Sequence, residues 1–275
     1  MPIKLVATDF DGTVTNVDEE AIPYVELCKQ DIAENYLHID MNDLEKQWSE
    51  KQKIIEQNPS KYGWRVNEKI VAPAYADPII LSRVIGDLFL NCIEMKEPKR
   101  NEILDSLFHK YYSEMGISFK NNASEYLDFI ARKFDGRIIT NSGTTNVLRK
   151  LERIDYNGKP PIGDAKKYII TDDWNEVSES IEKPGLKRPI YLRRKMYWDV
   201  IQQIMKETEI KPDEICVVGD IYELDLALPE QKEMRIILTP RPSTPQFEID
   251  WVKSCPRGYI ANNLEEVMSY LEKNE

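Results

Sequence analysis

The apolar positions of this chain fall into short runs separated by longer amphipathic stretches. Ile3 to Thr8 is apolar at most successive positions and ends in Asp9-Phe10-Asp11-Gly12, a turn sequence. Similar runs recur at Arg137–Thr140, Tyr168–Thr171, Glu214–Val218 and Met234–Leu238. Each is too short for a helix. Apolarity at successive rather than alternate positions is the pattern of a parallel strand covered on both faces. Between the runs the period lengthens to that of a helix. Tyr126, Leu127, Ile130 and Phe134 share one stripe, and Tyr197, Val200, Ile201, Ile204 and Met205 another. A third stripe, Leu264, Val267, Met268 and Leu271, follows Asn262 and Glu265 at capping-box spacing. Strands alternating with helices predict an α/β fold, a doubly wound parallel sheet.

Residues 17–120 break the alternation. They are strongly charged and helical in pattern, with a stripe at Leu104, Leu107, Phe108, Tyr111 and Met115 and an apolar helix from Ile79 to Ile93. No strand rhythm appears there, and Pro73 to Pro78, bracketed by prolines, reads as an internal loop. The stretch is long enough to be a separate helical domain inserted after the first strand. The sheet domain is then discontinuous, formed from residues 1–16 and 121–275.

Charge narrows the partners. Among 275 residues, 48 acids against 37 bases give a net charge of −11. An acidic surface repels phosphate backbones and anionic lipid, so neither nucleic acid nor a membrane is an expected partner. The cysteines Cys28, Cys92, Cys216 and Cys255 have no metal-site spacing and read as reduced thiols. No secretory signal is visible and no apolar run approaches the ~18 residues of a membrane span, so a cytoplasmic protein, monomer or homodimer, is expected. With only His38 and His109 present, a histidine-rich metal site or a Ser-His-Asp triad has little to work with.

The chemistry-bearing residues cluster at predicted strand ends. Asp9 closes the first run and Asp11 follows two residues on. Gly12 permits a tight turn, and the Gly12 and Thr13 amides are suited to an anion. Taken alone, Asp-Gly after a strand is equally a plain turn. The fourth run also ends in an acid, Asp220, with Asp225 beyond it. In an open parallel sheet both acids would lie at the carboxyl edge, where ligands bind, and such carboxylates with a backbone carbonyl and waters suit Mg2+. The second run ends in Thr140-Asn141-Ser142-Gly143, which fits either a phosphate cradle or a helix cap. From Lys183 to Lys195 run six basic residues without an acid. Most of them read as a solvated charge run, but Lys195, at the start of the Tyr197 helix, is placed to neutralise a phosphoryl group.

Taken in order, these pieces resemble the four motifs of the haloacid dehalogenase-like (HAD) superfamily. Asp9-Phe10-Asp11-Gly12-Thr13-Val14-Thr15 resembles the first and Ile138-Ile139-Thr140-Asn141 the second. Lys195, 25 residues before Asp220, resembles the third, and Gly219-Asp220-x4-Asp225 the fourth. One departure is that Met196, not the Pro common in relatives, follows Lys195. Lys183-Pro184 offers that dipeptide at too great a distance from Asp220. The resemblance implies a Rossmann-like core with a C1-type helical cap, closing over the site, and Trp64, Arg65 and Tyr75 are candidate cap contacts. It implies catalysis by Asp9 as nucleophile, Asp11 as acid and base, and Lys195 as counter-cation. Mg2+ would be held by Asp9, the Asp11 carbonyl and Asp220, and phosphoryl oxygens by Gly12, Thr13, Thr140 and Asn141. Asp225, or its rival Glu223, would support the site from behind. The family's dehalogenases and phosphonatases lack an acid at the Asp11 position, so the expected activity is Mg2+-dependent hydrolysis of a small phosphorylated metabolite through an aspartyl-phosphate. The alternatives are a phosphotransferase or phosphomutase using the same site, and a non-catalytic binding protein on the same fold.

Overall fold

All four residues of the Leu5–Thr8 strand and all five of Ile215–Gly219 are buried, which is why both runs lack polar alternation. The structure, a computed structural model, describes residues 1–168, 179–194 and 196–275. Their successive side chains point to opposite faces of the sheet. Leu5, Ala7, Ile215 and Val217 pack with Tyr197, Ile201 and Ile204 of the Tyr197–Thr208 helix and with Trp251 and Val252. Val6, Cys216 and Val218 pack on the other side with Tyr126, Leu127 and Ile130, with Val147 and Leu151, and with Leu264, Val267 and Leu271. The helical stripes legible in the sequence are thus the two layers that cover the sheet.

Among the described residues the sheet has five strands, in the order Asp135–Ile138, Leu5–Thr8, Ile215–Gly219, Arg235–Leu238, Gly258–Ile260. All neighbours pair in parallel. The fold is therefore the expected doubly wound α/β sheet. The first strand in sequence lies between the second and the third, so strand order reverses there. That reversal opens a crevice at the carboxyl ends of Leu5–Thr8 and Ile215–Gly219. The expected strand at Tyr168–Thr171 falls mostly outside the described residues. Tyr168 itself makes an isolated antiparallel bridge to Arg194.

The chain divides into two compact units, residues 1–16 with 119–275, and residues 17–118. The second unit is built from the helices Ile22–Ile32, Met41–Glu56, Pro78–Cys92 and Glu97–Tyr111. Its core stacks Trp48 on Phe89, with ring centroids 5.9 Å apart. It is not wholly helical as expected. Gly63–Val66 pairs antiparallel with Lys69–Pro73. The connecting Asn67 and Glu68 both have positive φ, 46° and 64°, the geometry of a two-residue hairpin turn. With Glu68 where such turns usually carry Gly, the sequence gives no hairpin signal. Tyr75 is buried in this unit, and the Arg65 guanidinium donates to the carbonyls of Lys61 and Glu68. Among the described residues no helix is long and apolar enough to cross a membrane.

Two local expectations shift. The last helix is capped by Asn263, whose Oδ1 accepts the Glu266 N–H, while Glu266 accepts the Asn262 N–H. The cap is one residue later than the Asn262–Glu265 spacing suggested, because either Asn offers the same side chain and the helix starts at Leu264. The basic run is also less solvated than a charge run implies. Arg188 forms a two-pronged pair with Glu223 at 2.7 and 2.8 Å, Lys183 pairs with Glu230, and Arg194 is buried with Nη2 donating to the Glu223 carbonyl. Their acidic partners lie far along the chain, so local composition shows the bases without their counter-charges.

Candidate active site

Asp9 and Asp220 are the first residues beyond two adjacent parallel strands, on either side of the strand-order reversal. The Asp9 N–H donates to the Val218 carbonyl at 2.8 Å, which fixes the two strand ends side by side. Two glycines let the acids approach. Gly12 has φ +85°, and a Cβ there would lie 2.3 Å from Asp220 Oδ2. A Cβ on Gly219 would lie 2.3 Å from the Asp225 Cβ. Neither contact is tolerable, so each glycine is required by a carboxylate packed against it.

One carboxylate oxygen from each of Asp9, Asp220 and Asp225 lies within 4.8 Å of the others, and all three residues are buried. Lys166, 1% exposed, bridges two of them, with Nζ 2.8 Å from Asp9 Oδ1 and 2.8 Å from Asp225 Oδ1. Asp225 is engaged at both oxygens, since its Oδ2 accepts the Ile221 N–H at 2.9 Å. Arg241 Nε stands 2.7 Å from Asp220 Oδ2 as an ion pair, without the alignment of a hydrogen bond. The remaining oxygens of Asp9 and Asp220 converge: the Thr13 hydroxyl is 3.3 Å from both Asp9 Oδ2 and Asp220 Oδ1.

Among the described residues, Lys166 and Arg241 pair with these three buried carboxylates and Lys120 acts on Asp220 as well, yet burial dominates the pKa values of Asp9 and Asp220. Burial holds the Asp9 carboxyl well above the usual carboxylate range; Lys166 opposes this, while Asp225 and Asp220 reinforce it. Burial likewise lifts Asp220 to about 6, against the pull of Arg241. Lys166 is driven down by burial but is raised overall, because Asp225 and Asp9 both face it. It stays a cation, and Asp9, which shares it with Asp225, is the undercompensated partner. For an acid raised in the fold, the folded state binds the extra proton, so stability is lost as pH rises from near 4 through about 6. In metal-free protein the stability of wild type relative to Asp220→Asn should fall across that window, by roughly 3 kcal/mol at most, and level off above it. Thermal unfolding in a chelator over a pH series measures this; a difference that rises through the window contradicts the buried-acid assignment.

Asp11 does not point its carboxylate at this cluster's cations. Its Oδ1 accepts from Lys150 Nζ at 2.6 Å and its Oδ2 from the Ser142 hydroxyl. The Gly12 N–H lies 3.4 Å from Thr15 Oγ1. Thr140 is buried and accepts the Ser142 N–H at 3.3 Å, and no hydrogen bond reaches the buried Asn141 Oδ1. Glu223, with its carboxylate on Arg188, sits apart from the role considered for it, whereas Asp225 buttresses Lys166. Lys195 lies outside the described residues. Among the described residues the site holds Lys166, and with it Lys150 and Arg241, none of which stood out in the sequence. Lys166 precedes Asp220 by 54 residues and lies between Ala165 and Lys167, in no motif. Its one clue is position: it follows Ile162, which bridges in parallel to Ile139 beside the second strand end.

No family model and no curated protein matches the chain. Solved structures do match in fold. The putative HAD-hydrolase YfnB from Bacillus subtilis, bound to magnesium, is 13% identical, with 99% of this chain and 100% of that one covered at a TM-score of 0.56. A predicted phosphoglycolate phosphatase from Haemophilus somnus 129PT is 15% identical, with 98% and 97% covered at 0.56. A putative beta-phosphoglucomutase from Thermotoga maritima is 12% identical, with 98% and 99% covered at 0.52. The chain has the fold of HAD-like hydrolases over nearly its whole length.

Proposed function

We propose that this chain is a Mg2+-dependent phosphohydrolase of the HAD type, acting on a small phosphate ester. The observation that carries the reading is the convergence of Asp9 Oδ2 and Asp220 Oδ1 on one hydroxyl, at the switch point of the sheet, with a second acid two residues after Asp9. The donor set fits the metal. Hard carboxylate oxygens, one on each acid not engaged by Lys166 or Arg241, and burial with neighbouring acids that holds the Asp9 and Asp220 carboxyls above their usual range, are what a small dication satisfies. Asp9, Asp220 and the Asp11 carbonyl would hold it. When bound, Mg2+ supplies positive charge that offsets the repulsion between carboxylate and phosphoryl group.

The chain's own residues then divide the chemistry. An Asp9 oxygen attacks phosphorus and displaces the alkoxide, leaving an acyl phosphate on Asp9. Lys166 orients Asp9 through Oδ1 and keeps a positive charge at the reacting centre. Asp11 gives its proton to the leaving alkoxide, then takes one from the water that attacks phosphorus and frees Asp9. To carry that proton Asp11 must release Lys150 or Ser142, since both its oxygens accept in the present arrangement. Thr140 and Asn141 would hold phosphoryl oxygens. The acid at position 11 supports phosphate ester over carbon–halogen substrates, because an alkoxide needs protonation and a halide does not.

A phosphate-release screen over a panel of phosphate esters tests the proposal, beside halide release from 2-haloacids. Phosphate release with Mg2+ is expected, falling about a hundredfold in chelator, with no halide. Halide release without phosphate release, or phosphate release indifferent to chelator, contradicts it.

A further inference from the structure

Each acid of the cluster has an oxygen held by a group built into the fold. Lys166 holds one oxygen of Asp9 and one of Asp225. On Asp220 that group is Arg241, with Nε 2.7 Å from Oδ2 and side chains only 6% and 0% exposed. Arg241 is delivered by a closed turn just past the Arg235–Leu238 strand. Its N–H donates to Thr244 Oγ1 and the Thr244 N–H to its carbonyl, both at 2.9 Å. That strand pairs with Ile215–Gly219, just beyond which Asp220 lies, so the guanidinium arrives from the neighbouring strand end. Gly12 packs against the same Oδ2 from another side. A cation entering the cluster therefore meets Asp220 through Oδ1, the oxygen shared with the Thr13 hydroxyl.

One oxygen per carboxylate has a consequence for which cation binds. Mg2+ takes about six ligands near 2.1 Å, keeps several waters and is content with single carboxylate oxygens. Ca2+ takes about six to eight at longer distances, and fills that number by gripping carboxylates through both oxygens. Resting on the phosphohydrolase reading above, we infer that Arg241 is a specificity-determining residue: by covering Asp220 Oδ2 it denies the two-oxygen grip and makes the site select Mg2+ against Ca2+. Its positive charge also weakens binding of either cation, but equally, so the diagnostic quantity is the ratio of the two affinities rather than either alone.

Isothermal titration calorimetry of Mg2+ and of Ca2+ with the full chain and with Arg241→Met measures that ratio without reference to activity. Both cations are expected to bind the variant more tightly, and Ca2+ to gain about tenfold more than Mg2+. Equal gains show that Arg241 acts only as a charge and overturn the inference, as do unchanged or weakened affinities. Should the Met variant not fold, Arg241→Ala, which admits water to Asp220, is expected to give the same shift in ratio. A wild-type chain that binds no Mg2+ at millimolar concentration is a distinct result; it overturns the metal-dependent reading itself.

Discussion

Lys166→Met is expected to lower phosphate release by about 10³-fold. The size of the loss follows from where its charge is buried. Lys166 is 1% exposed and stands between Asp9 and Asp225 at 2.8 Å from each. Removing it leaves two buried carboxylates facing each other without their shared cation. That arrangement costs about 3–5 kcal/mol of stability in comparable buried pairs, so the loss has a folding component as well as a catalytic one. Lys166→Arg separates them. It keeps the charge and lets the chain fold, but a planar guanidinium cannot take the place of a compact ammonium between two oxygens, so activity should still fall well below wild type. Both variants are read by phosphate release beside far-UV circular dichroism and thermal unfolding. Near-normal release by folded Lys166→Met removes the counter-cation role from Lys166.

The second large effect is Asp9→Asn, for which release is expected to fall by about 10⁴-fold or more, since an amide cannot attack phosphorus. The fold should not suffer. Burial already disfavours the charged form of Asp9, so the metal-free variant is expected to melt at or above the wild-type temperature. Gain of stability with loss of activity marks a residue held in an unfavourable state for its chemistry. A variant that loses both together would assign Asp9 a structural role.

How much of this was legible in the sequence depends on the range of the interaction involved. The sheet was, because burial on both faces writes itself into consecutive apolar residues, as in Leu5–Thr8 and Ile215–Gly219. Asp9 and Asp220 were legible for a related reason: each stands immediately beyond a strand that such a run reveals, with Asp11 two residues after Asp9. Lys166 was not, because what singles it out is contact with residues 157 and 59 positions away. Arg241 and Lys150 are the same case, cations in ordinary-looking segments whose partners are fixed by the turn after a strand or by the Thr144–Leu151 helix. The hairpin at Gly63–Pro73 was hidden for a local reason, the left-handed Asn67-Glu68 pair in place of a glycine turn.

The central claim is that Asp9 takes the phosphoryl group. Rapid acid quench of the enzyme during turnover of 4-nitrophenyl phosphate with Mg2+, followed by borohydride reduction, digestion and mass spectrometry, converts an acyl phosphate on aspartate to homoserine and locates it. The account predicts homoserine at position 9, and none there in Asp9→Asn. Phosphate release with residue 9 recovered as unmodified aspartate, or the label at another acid, would contradict it.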